Sequence, residues 1–283
     1  MKKLFFIFLF TTIQARSQTV DTLVDVGGYH LNFHIVKGRG IPILFESGGG
    51  NDGTIWYGIL PAVSDVTGAT LITYDRAGFG KSEIDTNRHG ILNGVKALET
   101  GLKKLGYDGP VVLVAHSLGG FYATLYAYRN PKKVKAAVLI DESNMCFYNK
   151  QRIMSTQAII DKQPKSKSPG NLGNYYISVD FQNTMEVMSS AAFPDNIPAT
   201  DLISERTPFK DSADIIDWKR CQQEFGRSAP NRKAVIAYGT GHYVFLDNPS
   251  LAIDAIAMQY AQLLDKPQQE DLYRHLHNLE KMK

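Results

Sequence analysis

Two residues far apart in the chain, a serine and a histidine, carry the chemistry this sequence could do. Residues 111–120 read Val-Val-Leu-Val-Ala-His-Ser-Leu-Gly-Gly. The β-branched run predicts a strand and the pattern after it a helix, so Ser117 falls in a sharp strand-to-helix turn. Small residues two positions away on either side, Ala115 and Gly119, leave room for such a turn. Ala115 stands where a Gly-x-Ser-x-Gly pattern has its first glycine, and it serves the same steric purpose. A serine held this way is exposed above a sheet, but it is a weak nucleophile at neutral pH and needs a base.

Seven histidines are available, at 30, 34, 89, 116, 242, 275 and 277. His116 precedes Ser117, so its side chain leaves the turn in another direction and reads as structural. His242 follows the strand-like run Ala234–Tyr238 through Gly239-Thr240-Gly241. That puts it at the C-terminal edge of a sheet, where open α/β sheets build their sites and where Ser117 also lies. His242 is the expected base.

Elements must bring the two together. Leu23–Val26 and Tyr29–Val36 read as a hairpin around Gly27-Gly28, Ile41–Phe45 and Ala69–Tyr74 as buried strands, and Thr54–Val63 and Ile91–Leu105 as helices. The strand Val111–Ala115, a helix from Leu118 to Arg129 and the strand Val134–Ile140 follow. Regular alternation then stops over 144–200. That stretch has four prolines, a Lys/Ser-rich patch and the aromatics Tyr175, Tyr176, Phe181 and Phe193, and it reads as an inserted cap. Beyond it come a weak strand at Asp201–Ser204, a helix at Asp214–Phe225, the Ala234–Tyr238 strand, a helix at Leu251–Leu264, and a peripheral helix carrying Leu272, Leu276, Leu279 and Met282. Alternating strands and helices predict an α/β layered fold. The expected division is a core of 18–143 and 201–283 around the cap.

The 283 residues suffice for one large α/β domain, and 43% hydrophobic with 21% charged is ordinary globular composition. Residues 1–17 read as a secretory signal peptide: a basic start, an apolar Leu4–Phe10 and a small-x-small Ala15-Arg16-Ser17. Its apolar run is too short to span a membrane. Cleavage would remove Lys2, Lys3 and Arg16 and no acid, so the formal charge of +3 falls to zero. Nothing then favours a nucleic-acid partner. Cys146 and Cys221 could pair in an oxidising compartment, but sequence does not say whether they meet.

These motifs together resemble the α/β-hydrolases, the broad esterase, lipase and peptidase superfamily. The matching stretches are Phe45-Glu46-Ser47-Gly48-Gly49, Tyr74-Asp75-Arg76-Ala77-Gly78-Phe79-Gly80-Lys81-Ser82, Ala115–Gly120, and Gly241-His242-Tyr243 with Asp247-Asn248-Pro249. Ser47-Gly48 stands where the family usually has His-Gly. The resemblance implies a mostly parallel eight-stranded sheet, with an oxyanion hole made by the N–H groups of Gly49 and Leu118. It implies that Asp75 and Arg76 brace loops rather than react. It also implies a carboxylate behind His242, usually after the strand that follows the cap, sometimes after the one before it. Asp141 ends its strand cleanly and is favoured; Glu142, Glu205, Asp211 and Asp214 remain alternatives.

Two decoys fail. Gly80-Lys81-Ser82 ends like a P-loop, but Asp75 occupies a position where that motif needs glycine. Gly48-Gly49-Gly50-Asn51-Asp52-Gly53 matches a dinucleotide fingerprint but leaves Ser117 and His242 unexplained. No cofactor and no metal are expected. The expected activity is an exported, periplasmic or secreted, serine hydrolase acting on a small acyl substrate: an ester, lactone, thioester or amide. The alternatives are a carbon–carbon bond hydrolase, a peptidase releasing N-terminal residues, and a slow-turnover ligand sensor.

Overall fold

Short apolar runs build the centre of the sheet. In the computed structural model, which describes residues 18–163 and 166–281, eight strands form one sheet: β1 (Thr19–Asp25), β2 (His30–Val36), β3 (Ile43–Glu46), β4 (Leu71–Tyr74), β5 (Val111–His116), β6 (Val134–Ile140), β7 (Ala199–Ser204) and β8 (Arg232–Ala237). Their order is β1-β2-β4-β3-β5-β6-β7-β8. β2 is antiparallel to both β1 and β4, and the other pairings are parallel. This is the mostly parallel eight-stranded sheet expected. β3, β4, β5 and β7 are buried along their whole length, because helices cover both faces.

The helices are α1 (Leu60–Thr67), α2 (Ile91–Lys104), α3 (Gly119–Arg129), α4 (Lys150–Lys162), α5 (Leu172–Val179), α6 (Phe181–Ser189), α7 (Ser212–Phe225), α8 (Val244–Asp247), α9 (Pro249–Ala261) and α10 (Lys266–Lys281). One core packs α2, α3 and α6 on one face of the sheet. The other packs α1, α8 and α9 on the opposite face. After β3 the chain turns to one side to make β4. It then crosses to the other side to make β5, so the loops leaving β3 and β5 part over a crevice. Register aligns the strand ends there: Glu46 sits beside Ala115, His116 beside Ile140, Ile140 beside Leu202, and Ser204 beside Ala237.

Several expectations change. The single helix over Thr54–Val63 is instead a 3₁₀ turn, Gly53–Trp56, followed by α1 with Pro61 in its first turn. Proline suits a first turn, where its missing N–H costs nothing, and breaks a helix interior. Trp56, in that same stretch, is core: it is buried between Phe45 (5.3 Å) and Phe245 (4.2 Å). The weak strand at 201–204 is a full strand from Ala199; Thr200 Oγ1 accepts from Gln259 at 2.7 Å and Ser204 Oγ donates to Asp141 at 2.8 Å. α7 likewise starts two residues early, capped by Asp211. The helices α4, α5 and α6 fill the excursion between β6 and β7, and β7 begins inside the stretch expected for the insertion. The leader expected at 1–17 and Met282 lie outside the described residues.

Cys146 and Cys221 form a disulfide across 75 residues, joining the segment after β6 to α7. A loop that long constrains the unfolded chain by about 4 kcal/mol. Reductant, or the double substitution of both cysteines by serine, should therefore lower the urea unfolding midpoint clearly. An unchanged midpoint would mean that the bond constrains nothing.

Candidate active site

Backbone geometry marks the site before any side chain does. Among the described residues the non-glycine positions with positive φ are Ser117 (53°) and Asp141 (45°). Such angles are uncommon for residues with a Cβ and persist only where the surroundings impose them. At Ser117 the imposing contacts are on β6 and beyond: its N–H donates to Ile140 O (3.1 Å) and its carbonyl accepts from Ser143 N (2.9 Å). Gly119 lets α3 start against β3, since a Cβ there would lie 2.6 Å from Glu46 O.

His242 sits in the turn between β8 and α8, and that turn is tied on several sides. Gly241 N–H donates to Asp247 (2.6 Å), Arg206 N–H to Thr240 O (3.0 Å), and Thr240 Oγ1 to Ala237 O (2.7 Å). The imidazole bridges the two strained residues. Its Nδ1 is 2.6 Å from Asp141 Oδ2 and its Nε2 is 2.9 Å from Ser117 Oγ. An ionised carboxylate only accepts, so Nδ1 carries the proton and Nε2 accepts from the serine hydroxyl.

Asp141 is buried and takes more than the histidine bond. Ser204 donates through Oγ (2.8 Å) and N–H (3.2 Å), Trp218 through Nε1 (2.9 Å) and Gln222 through Nε2 (3.2 Å). Burial by itself would raise the Asp141 pKa. The hydrogen bond and charge of His242, with the bonds from Trp218 and Ser204, outweigh burial and hold the carboxyl below its ordinary value. Sequence reasoning missed Ser204, Trp218 and Gln222. The last two stand four residues apart on one face of α7, and no pattern in the sequence around them marked that face as facing a carboxylate.

The other carboxylates have other partners. Asp211 caps α7, accepting from Ala213 and Asp214 N–H. Asp214 pairs with Arg152 (2.7 Å), and Glu205 accepts from Gly239 N–H (2.6 Å). Glu142 accepts from Asn144 (3.0 Å) and is buried beside Asp201. Of the five acids considered, Asp141 is the one that meets His242.

Arg76 clamps the loop after β3. Its guanidinium donates to the carbonyls of Ser47 and Gly48 and lies 3.7 Å from Glu46, which also accepts from Tyr74 OH (2.7 Å). In a trans peptide the N–H opposes the C=O, so binding Gly48 O turns the Gly49 N–H away from Arg76. Gly49 lies against Leu118; a Cβ on it would be 3.5 Å from Leu118 Cδ2. The N–H groups of Gly49 and Leu118 donate to no acceptor among the described residues. Asp75 braces the same region, accepting from Gly53 N–H (2.9 Å), Lys81 N–H (2.9 Å) and Asn32 (3.1 Å).

His116 is buried, and burial drives its pKa down to about 3, helped by repulsion from His242. It donates from Nε2 to His242 O (3.0 Å) and packs on the His242 ring at 4.6 Å. Its Nδ1 faces Gly48, where a Cβ would come within 2.7 Å. His30, His34 and His89 pair with Glu83, Asp21 and Asp180. Cys146, Cys221 and Glu224 come within 4.8 Å of one another, but the two sulfurs are bonded to each other.

A cavity of about 220 Å³ begins beside Leu118 and runs between the core and the helices α5 and α6. Its walls are mostly apolar: Phe121 and Tyr122 from α3, Tyr176 from α5, and Phe181 and Met185 from α6. Arg76 and the His89–Asp180 pair add polar groups.

Residues 41–196 match the family model described as the alpha/beta hydrolase fold. The chain is 36% identical over 104 residues to the (lyso)-N-acylphosphatidylethanolamine lipase of Bos taurus, covering 35% of this chain and 30% of the lipase. It is 24% identical over 136 residues to the 2-hydroxy-6-oxo-6-(2'-aminophenyl)hexa-2,4-dienoic acid hydrolase of Metapseudomonas resinovorans, covering 47% and 46%. The chain thus spans less than half the length of either relative. Among solved structures, alpha/beta hydrolase domain-containing protein 10 from mouse superposes with a TM-score of 0.67 at 20% identity, covering 87% of this chain and all of that one.

Glu46 gives a pH test of the clamp. Burial raises its pKa from 4.5 to about 7, against the lowering pull of Arg76 and Tyr74. The folded chain therefore keeps a proton that the unfolded chain loses near pH 4.5. This stabilising term is complete below pH 4.5 and is lost as pH rises through 7. Urea midpoints of Glu46→Gln should improve relative to the wild type between those pH values and level off above. Parallel curves for the two proteins would mean that Glu46 is already ionised at pH 4.5.

Proposed function

Since the chain belongs to the alpha/beta hydrolase fold family, we propose that it is a serine hydrolase acting on a small ester, lactone, thioester or amide. The observation that carries this reading is the unbroken Ser117–His242–Asp141 hydrogen-bonded chain, with steps of 2.9 and 2.6 Å, at the C-terminal edge of the sheet. Ser117 Oγ attacks the substrate carbonyl as His242 Nε2 takes its proton. Asp141 holds the imidazole in the required tautomer and stabilises the imidazolium. The oxyanion binds the N–H groups of Gly49 and Leu118, donors held in place beforehand by the Arg76 clamp and the turn at Ser117. Protonated His242 passes its proton to the leaving group, which departs to leave an acyl-enzyme. His242 then deprotonates a water, which releases the acid and restores Ser117.

The acyl part occupies the cavity beside Leu118, under a cap made by the insertion at 144–200. The reaction uses side chains and backbone amides alone. We propose further that the protein works outside the cytoplasm, periplasmic or secreted. The leader-like residues 1–17 and the Cys146–Cys221 bond support this, because such bonds persist in oxidising compartments.

A fluorophosphonate probe tests the nucleophile: wild type should label rapidly and Ser117→Ala not at all. Labelling that survives in Ser117→Ala refutes the assignment. Asp141→Asn should lower kcat on an ester or lactone substrate by roughly 10³–10⁴, the cost of losing the correct tautomer. Near-normal turnover would remove Asp141 from the mechanism.

A further inference from the structure

The carboxylate behind His242 stands after β6, yet two of its donors come from α7, which follows β7. We propose that Trp218 and Gln222 are positioning residues, which set the orientation of Asp141 and through it that of His242. This rests on the reading of Ser117, His242 and Asp141 given above.

The two oxygens of Asp141 are used differently. His242 and Ser204 Oγ take Oδ2, while Trp218, Gln222 and the Ser204 amide take Oδ1. Rotation about the Cβ–Cγ bond would move Oδ2 off His242. Three donors on Oδ1 oppose that rotation, because it would strip a buried anion of its partners.

α7 is itself anchored for this. The Trp218 ring meets Phe147 edge-on at 4.9 Å and Phe209 at 5.1 Å. Cys221, between the two donors, is bonded to Cys146, five residues beyond Asp141. A closed ring results: from Asp141 along the chain to Cys146, across the disulfide to Cys221, along α7 to Trp218 and Gln222, and back to Asp141 by hydrogen bonds. α7 cannot shift along its axis without breaking that ring.

Gln222 also carries a sign that stability is not its purpose. It is completely buried, and its Oε1 has no donor among the described residues. A leucine would fill the space without an unsatisfied acceptor. The glutamine makes sense where its N–H serves Asp141.

The test uses Trp218→Phe, which keeps an aromatic ring but removes the N–H, and Gln222→Leu. Each should lower kcat about tenfold to a hundredfold, the worth of a hydrogen bond to a charged group, with KM nearly unchanged. Each should also shift the low-field proton resonance of His242 Nδ1–H, in samples whose folded fraction matches the wild type. The proposal is overturned if both variants keep wild-type kcat and resonance, or if their loss of activity only follows a loss of folded protein. Fluorophosphonate labelling separates the two failures. Labelling of Ser117→Ala would sink the underlying reading. Its absence, beside wild-type-like Trp218 and Gln222 variants, would sink only the positioning role.

Discussion

A negative charge buried at the end of β6 organises this structure. Asp141 is out of reach of water, and an isolated carboxylate there would be very costly. The cost is offset by donors converging from three places: the end of β7, one face of α7, and the turn after β8. Each of those segments must sit within hydrogen-bond range at once. The positive φ at Asp141 is part of the same constraint, since the carboxylate reaches all its partners from that conformation.

A second buried charge does comparable work on the other side of Ser117. Arg76 meets Glu46 and the carbonyls of Ser47 and Gly48, so the loop after β3 is held by its oxygen atoms, and the Gly49 amide has no acceptor among the described residues. The neutral, buried His116 lies between the two centres, against Gly48 and bonded to the His242 carbonyl. Protonated, it would set a cation against His242; burial prevents that. Rigid carboxylate, rigid amide loop and neutral spacer together leave Ser117 and His242 little freedom, the condition for preorganised catalysis in the proposed mechanism.

Much of this was legible in the residues. Uninterrupted apolar runs announced the buried parallel strands, and the small residues around Ser117 announced its turn. His242 stood out by following the last strand through a glycine loop. Other features were hidden for identifiable reasons. Pro61 cuts the Thr54–Val63 stretch, which apolar spacing alone presents as one helix. β7 looked weak because it carries polar residues, and the partners of Thr200 and Ser204 lie on distant elements, which no local pattern reveals.

The sequence by itself determined the alternation that makes an α/β sheet, the strained turn at Ser117, and the glycines that let β3 and α3 approach. These follow from backbone sterics and periodicity, which are local. Tertiary structure alone decided which carboxylate meets His242. Five acids were compatible with the order of elements, and the choice depends on strand register and on the direction of a side chain at the end of β6. Only the fold could bring Cys146 to Cys221, and Trp218 and Gln222 to Asp141, because those meetings join residues 75 to 81 positions apart. Contacts at that separation are set by how whole elements pack, and nothing in the neighbouring residues encodes them.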